Sequence, residues 1–394
     1  MIKRSYLFLL VTICFLACDD EAPVATAEEK KYFVAVEERS NVSAQTLKAL
    51  AVGFGQPDIA ALIQYGVKTY ALTYQTTYRG EPIEASGLLM VPVGVTGEAP
   101  LLSVQHGTTF IKDDAPSAAG GYTGTELFAA SGYISLMPDF IGYGKSESVF
   151  HPYYDREHSS LAVIDMIKAA KEFLTKEKIA FNDKLFLAGY SEGGYVTLAA
   201  AQEIETNPEH KLSLTAVAAG AGGYDLGEML SGLSTNTFYS YPSYLAFVLM
   251  SYNTTYKWNK PLTYFFQPTY AQALNTYMNG EYDGSEINEK LTTDLTKLFD
   301  PDFYARLKDP NQELELKKAI GDNTIGGWAT SVPMRLYHGT KDEIIPYQNS
   351  EVTLEKLKSN GATSVTLTLI PNGTHGSSFM PMMQDFIPWF LSLK

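Results

Sequence analysis

The order of apolar segments along this 394-residue chain predicts an α/β fold: a mostly parallel, doubly wound sheet with helices on both faces and one long insertion. Three observations carry that expectation. Short apolar runs alternate with longer amphipathic segments over most of the chain, with connections of a length that suits crossover units. Turns carrying Gly, Ser, His and Asp stand at the carboxyl ends of those runs, where open sheets of this kind place their sites. The composition, 45% hydrophobic against 19% charged, is enough to bury a large core in one elaborated domain.

Residues 1–17 read as a signal peptide rather than as part of the fold. Lys3 and Arg4 precede an apolar run from Tyr6 to Ala17 that is too short to anchor across a membrane. The run ends Phe15-Leu-Ala-Cys18, which resembles a bacterial lipoprotein cleavage site, with Phe15 where leucine is usual. Of the two cysteines, Cys14 lies inside the signal and Cys18 at the cleavage point, so no disulfide is available to the mature body. A lipid on Cys18 would hold the protein on a bacterial envelope membrane by burial of its chains, with residues 18–30, opening on Asp19-Asp-Glu21, as a flexible tether. The alternative is a plain secretory signal that leaves Cys18 an idle thiol.

After a helix over 43–51, two extended segments at 66–78 and 83–91 flank Arg79-Gly80-Glu81-Pro82, a hairpin signature. Further strands are expected at 101–105, 133–137, 184–188, 212–219, 333–338 and 364–370. Helices are expected at 123–131, 159–177, 192–205, 348–359 and 378–393. Between Asp225 and about Asn323 the alternation stops and aromatic residues accumulate, so residues 226–323 read as a cap or lid inserted into a core of 31–225 and 324–394. Tyr239, Tyr241, Tyr244, Phe247, Tyr252 and Tyr256 are among the aromatics that crowd its first half. Some are expected to build the cap's own core and some to face a pocket, which places substrate choice in the cap.

The most specific stretch is Leu185-Phe-Leu-Ala-Gly-Tyr-Ser-Glu-Gly-Gly194, a G-x-S-x-G pentapeptide between an apolar strand and a small-residue helix. A serine on a sharp strand-to-helix turn lifts its hydroxyl above the sheet, and small residues two positions either side let the neighbouring backbone pass. Ser191 is therefore the candidate nucleophile, and Gly189 and Gly193 are the elbow glycines. Such a serine needs an acid, a base and an anion hole, with the acid and then the base following it in the chain. Asp342, in the turn after 333–338, is the expected acid. His375, after the strand 364–370 and the break at Asn372-Gly373-Thr374, is the expected base. Asp225, after 212–219, competes with Asp342, which is preferred for its place just before the histidine strand. The strand 101–105 runs into His106-Gly107-Thr108, so the amides of Thr108 and Glu192 are the expected anion-hole donors, on a loop that begins at Gly107. His106 and Asp139 are expected to hold loop geometry, and His151, His158, His210 and His338 to make ordinary polar contacts.

With these residues in view, the chain resembles the α/β-hydrolases and, within them, the secreted lipase and esterase families. The resemblance rests on His-Gly-Thr-Thr109, the segment from Ser131 through Pro138-Asp-Phe-Ile-Gly-Tyr-Gly144 to Ser146, Gly-Tyr-Ser-Glu-Gly193, His-Gly-Thr-Lys-Asp342 and Gly-Thr-His375. It implies hydrolysis of a carboxylic ester, on a small-molecule or lipid substrate, through an acyl-enzyme on Ser191. A prolyl-type peptidase would use the same triad, but the region before residue 66 is too short for the propeller such enzymes carry. A surface-binding protein that has lost its chemistry would be expected to lose one of the four landmarks.

The formal net charge of -14 repels phosphate backbones, and no basic patch interleaves with aromatics, so nucleic acid is not an expected partner. No P-loop, dinucleotide fingerprint, CxxC pair or HExxH motif occurs, so neither a cofactor nor a metal is expected.

Overall fold

The computed structural model describes residues 30–53, 55 and 57–394. The signal peptide, Cys18 and nearly all of the tether lie outside the described residues. Tyr32–Lys394 pack as one unit.

That unit opens with β1 (Phe33–Val42), α1 (Ala44–Gly53) and α2 (Pro57–Leu62), which lead into the hairpin of β2 (Gly66–Tyr78) and β3 (Glu81–Val93). The hairpin turns on Arg79-Gly80, with φ of 55° and 81°, the doubly left-handed pair whose twist matches the flanking strands. Then come β4 (Ala99–Gln105), α3 (Glu126–Ala130), β5 (Ile134–Pro138), α4 (Arg156–Lys176), β6 (Phe181–Tyr190), α5 (Glu192–Thr206) and β7 (Ala216–Gly220). The region expected as a cap is helical: α6 (Leu226–Thr235), α7 (Pro242–Thr255), α8 (Pro268–Tyr277), α9 (Gly284–Glu289), α10 (Leu295–Leu298), α11 (Pro301–Lys308) and α12 (Leu314–Asn323). The chain closes with β8 (Met334–Gly339), α13 (Gln348–Ser359), β9 (Val365–Ile370) and α14 (Phe379–Leu393). Among the described residues no helix is long and apolar enough to cross a membrane.

The strands form one sheet in the order β1-β2-β3-β5-β4-β6-β7-β8-β9. From β5 to β9 every neighbour is parallel, while β1, β2, β3 and β5 pair antiparallel. Two layers of helix cover it, and the period of two along each strand decides which residue meets which layer. In β6, Leu185 and Leu187 pack with Ile164, Ile167 and Leu198 of α4 and α5. Phe186 and Ala188 point the other way, to Phe128 of α3 and to Met382, Phe386 and Phe390 of α14. Phe186 meets the rings of Tyr133 at 5.5 Å and Phe390 at 4.9 Å, so truncating it to alanine would cost about 3–5 kcal/mol.

The register aligns the strand ends that matter. Gly189 of β6 lies opposite Gln105 of β4 and Ala219 of β7, and Gly339 of β8 lies opposite Ile370 of β9. His106, Ser191, Asp342 and His375 therefore all emerge from one edge of the parallel sheet, each within a few residues of its strand.

Candidate active site

The turn between β6 and α5 is held by close backbone contacts. Ser191 has φ 60° and ψ -125°, a conformation that L-residues adopt at a cost of about 1–3 kcal/mol and that persists where surrounding structure enforces it. Here its N–H donates to the carbonyl oxygen of Gly220 at 2.9 Å, and its own carbonyl accepts from Tyr195 N–H at 3.2 Å. The flanking glycines leave no room for a side chain. A Cβ on Gly189 would lie 2.1 Å from the Gly193 carbonyl oxygen, one on Gly193 2.1 Å from that of Gln105, and one on Gly194 2.4 Å from that of Gly220. The elbow thus presses α5 onto β4 and β7 and leaves the Ser191 side chain part-exposed at the sheet edge.

Opposite it stands His375, whose Nε2 is 2.8 Å from Ser191 Oγ and whose Nδ1 is 2.7 Å from Asp342 Oδ2. Its backbone is fixed from both sides, N–H donating to Glu343 Oε2 at 3.1 Å and carbonyl accepting from the Tyr190 hydroxyl at 2.5 Å. The Asp342 side chain is fully buried. Its Oδ1 accepts from the amides of Ile344 at 2.9 Å and Ile345 at 2.8 Å. Burial pushes this carboxyl up, but hydrogen bonds from His338 and His375, the charge of His375 and the Ile345 amide outweigh it and hold the group well below the usual carboxylate range. An ionised Asp342 accepts the Nδ1 proton of His375, which leaves Nε2 bare toward the serine.

The expected anion-hole groups sit around the same serine. Glu192 is the first residue of α5, where an amide has no intrahelical acceptor, and neither its N–H nor that of Thr108 donates a hydrogen bond among the described residues. A Cβ on Gly107 would lie 3.8 Å from Ser191 Cβ, so the loop runs directly past the hydroxyl. Asp225, the rival acid, is elsewhere: it caps α6 by accepting from Glu228 N–H at 2.9 Å and pairs with Lys356. Asp139 accepts from Ser86 Oγ at 2.6 Å and from Ser117 N–H at 2.7 Å, and the His106 ring stacks on Phe140 at 4.2 Å. Both hold their loops.

Three features escaped sequence reasoning. His338 is fully buried behind the acid, with Nε2 2.8 Å from the Ile345 carbonyl oxygen and 3.3 Å from Asp342 Oδ2. His151 is buried against the Glu192 carboxyl, Nε2 to Oε1 2.7 Å. In the sequence, neither histidine differs from one making an ordinary loop contact. The third feature is a largely apolar cavity of about 760 Å³ that reaches Gly107 and Tyr190, both close to Ser191, and is walled by Leu127, Met137, Met383 and Ile387. It lies among α2, α3 and α14 rather than under the 226–323 region. The run Phe379-Met-Pro-Met-Met383 was the available signal, and its helical reading concealed the opening. Phe379 and Met380 line the same cavity and are 42% and 40% exposed. The Phe379 ring lies 5.5 Å from that of Tyr190, which lies 5.4 Å from His375. A second, more polar cavity of about 430 Å³ separates Thr108 and Phe110 from Tyr241, Tyr244 and Asp283. Several other cap aromatics, including Phe247, Phe265, Phe266 and Tyr252, are buried in the core.

A family model described as secretory lipase matches residues 125–390, about two thirds of the chain, including Ser191, Asp342 and His375 but not the Gly107–Thr108 loop. No curated protein sequence matches. Among solved structures, a provisionally assigned hydrolase from Legionella pneumophila shares 25% identity at a TM-score of 0.82, covering 92% of this chain and 98% of its own. The rice cell wall degrading esterase LipA of Xanthomonas oryzae shares 23% at 0.77, covering 90% and 95%. Candida antarctica lipase A in its closed state shares 15% at 0.67, covering 91% and 82%. The last two likenesses speak to the fold alone. With that fold and the extent of the family match, the chain belongs to the secretory lipase family, ester hydrolases on an α/β-hydrolase fold.

Proposed function

We propose that this protein hydrolyses carboxylic esters through an acyl-enzyme on Ser191. The observation that carries the reading is the unbroken proton path Ser191 Oγ, His375 Nε2, His375 Nδ1, Asp342 Oδ2, at 2.8 and 2.7 Å. Ser191 Oγ attacks the ester carbonyl carbon while its proton passes to Nε2. The resulting imidazolium faces a carboxylate that is already ionised. The oxyanion forms between the free amides of Glu192 and Thr108, an arrangement worth about two to three orders of magnitude per donor in enzymes of this chemistry. His375 then returns the proton to the departing alcohol. Water, deprotonated by the same nitrogen, attacks the acyl carbon and releases acid and free Ser191.

The apolar cavity beside Gly107 and Tyr190 falls within the range of about 300–1,000 Å³ typical of small-molecule sites, and we assign to it the hydrocarbon arm of the ester. In this reading residues 226–323 act as the cap over a core of 31–225 and 324–394, its Tyr241 and Tyr244 facing the more polar side of the site. The peptidase alternative is set aside because the family match is to a lipase family. For the N-terminus we propose lipidation at Cys18 after removal of residues 1–17, with the enzyme on an envelope membrane. Mass spectrometry of the processed N-terminus, and release of a Cys18→Ser variant from the membrane fraction, test that part.

The test of the chemistry is turnover of p-nitrophenyl esters from acetate to palmitate by protein starting after Cys18, with Ser191→Ala and His375→Ala beside it. Activity in the wild type and its loss in both variants supports the reading. A folded wild type inert on every ester overturns it.

A further inference from the structure

Behind the anion hole lies a pair of titratable groups that the reaction above does not use. The Glu192 carboxyl, one residue from Ser191, is 2% exposed, and its Oε1 lies 2.7 Å from Nε2 of His151, which is 5% exposed. Nδ1 of the same ring is 2.6 Å from the carbonyl oxygen of Ile141, and a carbonyl only accepts, so Nδ1 carries a proton. One further proton must lie between Nε2 and Oε1, because two bare lone pairs at that distance repel. Whichever atom holds it, the pair as a whole is neutral: imidazolium with carboxylate, or imidazole with carboxylic acid. Two residues along, the Tyr153 hydroxyl lies 2.9 Å from Thr108 Oγ1. One short segment therefore grips the side chains of both residues whose amides are the proposed anion-hole donors. Phe247 of α7 packs on that segment, stacked on Tyr153 at 4.5 Å and 5.7 Å from His151.

We propose that His151 is a positioning residue of the anion hole, with Tyr153 as its counterpart on Thr108. His151 tethers the Glu192 side chain, so that the first amide of α5 keeps its aim. It also neutralises a buried carboxyl that would otherwise stand as a bare negative charge beside a developing oxyanion. The proposal rests on the reading of Ser191 as nucleophile and of the Glu192 and Thr108 amides as the hole.

The experiment compares wild type, His151→Phe, Glu192→Gln, the double variant and Tyr153→Phe. It measures kcat and KM on p-nitrophenyl butyrate and inhibition by phenylboronic acid, which binds a serine hydrolase as a tetrahedral anion, with thermal unfolding to confirm the folded state. His151→Phe is expected to lower kcat about 100-fold, the size of a lost oxyanion donor, and to weaken the boronate in parallel. KM is expected to move by less than about threefold, since the interaction belongs to the transition state. Adding Glu192→Gln to His151→Phe removes the stranded charge and restores kcat by about tenfold or more, a rescue that a merely structural role does not give. Tyr153→Phe lowers kcat by about tenfold through Thr108. Unchanged kcat and boronate affinity in His151→Phe overturn the proposal, as does a double variant no faster than His151→Phe. Where His151→Phe does not fold, Glu192→Gln against Glu192→Ala decides. The glutamine amide still donates to Nε2 and is expected to exceed alanine in kcat by about tenfold, and equality overturns the proposal. A folded wild type without esterase activity is a different failure, that of the serine-hydrolase reading itself.

Discussion

Asp342→Asn is the sharpest probe of the site, because four N–H groups converge on this carboxyl. The amides of Ile344 and Ile345 donate to Oδ1, and His375 Nδ1 and His338 Nε2 point at Oδ2. An asparagine side chain offers one acceptor oxygen and one NH2 group. With its oxygen toward the two backbone amides, which cannot turn away, the NH2 faces His375 Nδ1. The ring then adopts the other tautomer, with Nδ1 bare and Nε2 protonated, and Nε2 can no longer take the Ser191 proton. The corresponding change in a chymotrypsin-type triad lowers kcat about 10⁴-fold, or about 5.4 kcal/mol at 1.36 kcal/mol per decade. His338 keeps its bond to the Ile345 carbonyl oxygen at 2.8 Å, so the stability loss stays near the 1–3 kcal/mol of one mismatched buried donor, roughly. Asp225→Asn is the control: asparagine caps a helix about as well as aspartate, so α6 keeps its cap and only the pair with Lys356 is lost, with no hydrogen bond to His375 involved. Steady-state hydrolysis of p-nitrophenyl butyrate, with urea unfolding of each variant, reads both quantities. An Asp342→Asn enzyme retaining more than about a tenth of wild-type kcat, with Asp225→Asn impaired, would refute the assignment of the acid.

Gly193→Ala sets a Cβ against two backbone oxygens, 2.1 Å from that of Gln105 and 2.6 Å from that of His106, so β4 or α5 must move. The expected cost is about 3 kcal/mol, read as a lower urea midpoint, and an unchanged midpoint contradicts the close approach. Acid stability tests Asp342 separately. Its folded carboxyl lies below the ordinary value of 3.8, so its contribution is fully present above that value and is lost as pH falls toward the folded one. Between about pH 5 and about pH 3 the wild type should therefore lose more stability than Asp342→Asn, and parallel curves would contradict it. Leu127→Trp, on the wall of the apolar cavity, is expected to lower the palmitate-to-acetate ratio of kcat/KM about tenfold. An unchanged ratio removes that cavity from the substrate's path.

What could be read from the sequence was whatever strand ends and small residues dictate locally. The pentapeptide around Ser191 demands a tight turn between β6 and α5, and Gly189 and Gly193 are there because backbone oxygens occupy the space of any side chain. The edge strand β1 was missed because its apolar residues, Val42 at its end apart, are confined to the short run Phe33-Val-Ala-Val36 and do not alternate along it. Glu37, Glu38 and Arg39 lie exposed on it, and only its pairing with β2 makes it a strand. Helix α3 is shorter than its pattern suggested, because the Glu126 side chain reaches back to the amides of Thr123 and Gly124 at 3.2 and 2.9 Å and holds those residues in a turn. Asp225 and Asp342 both follow a strand and differ in sequence only by position. Lys356 of α13, 131 residues away, is what occupies the first. The apolar cavity was beyond reach for the same reason, since its walls come from α2, α3 and α14, far apart in the chain.

In the proposed reaction, two buried histidines set the charge around the base. Both oxygens of Asp342 already have donors, the Ile344 and Ile345 amides on Oδ1 and His375 on Oδ2, so the group packed behind it has only to leave its charge undisturbed. A lysine or arginine there would carry a permanent positive charge within a few ångströms of His375 and would oppose formation of its imidazolium. His338 fills that space without that penalty. Its Nε2 must be protonated to reach the Ile345 carbonyl oxygen, and the Ser350 hydroxyl, 2.7 Å from Nδ1, fits a bare nitrogen. Asp342 is thus backed, at 3.3 Å, by a group that leaves its charge intact, and in the proposed reaction that charge is available to the imidazolium formed when Ser191 gives up its proton. In the proposal above, His151 answers the opposite need at Glu192, whose carboxyl lies 2.7 Å from its Nε2: a charge there would stand beside the oxyanion and is cancelled. One side-chain type meets both needs because an imidazole can donate either as a neutral ring or as a cation, whereas lysine or arginine would supply the cation at both places.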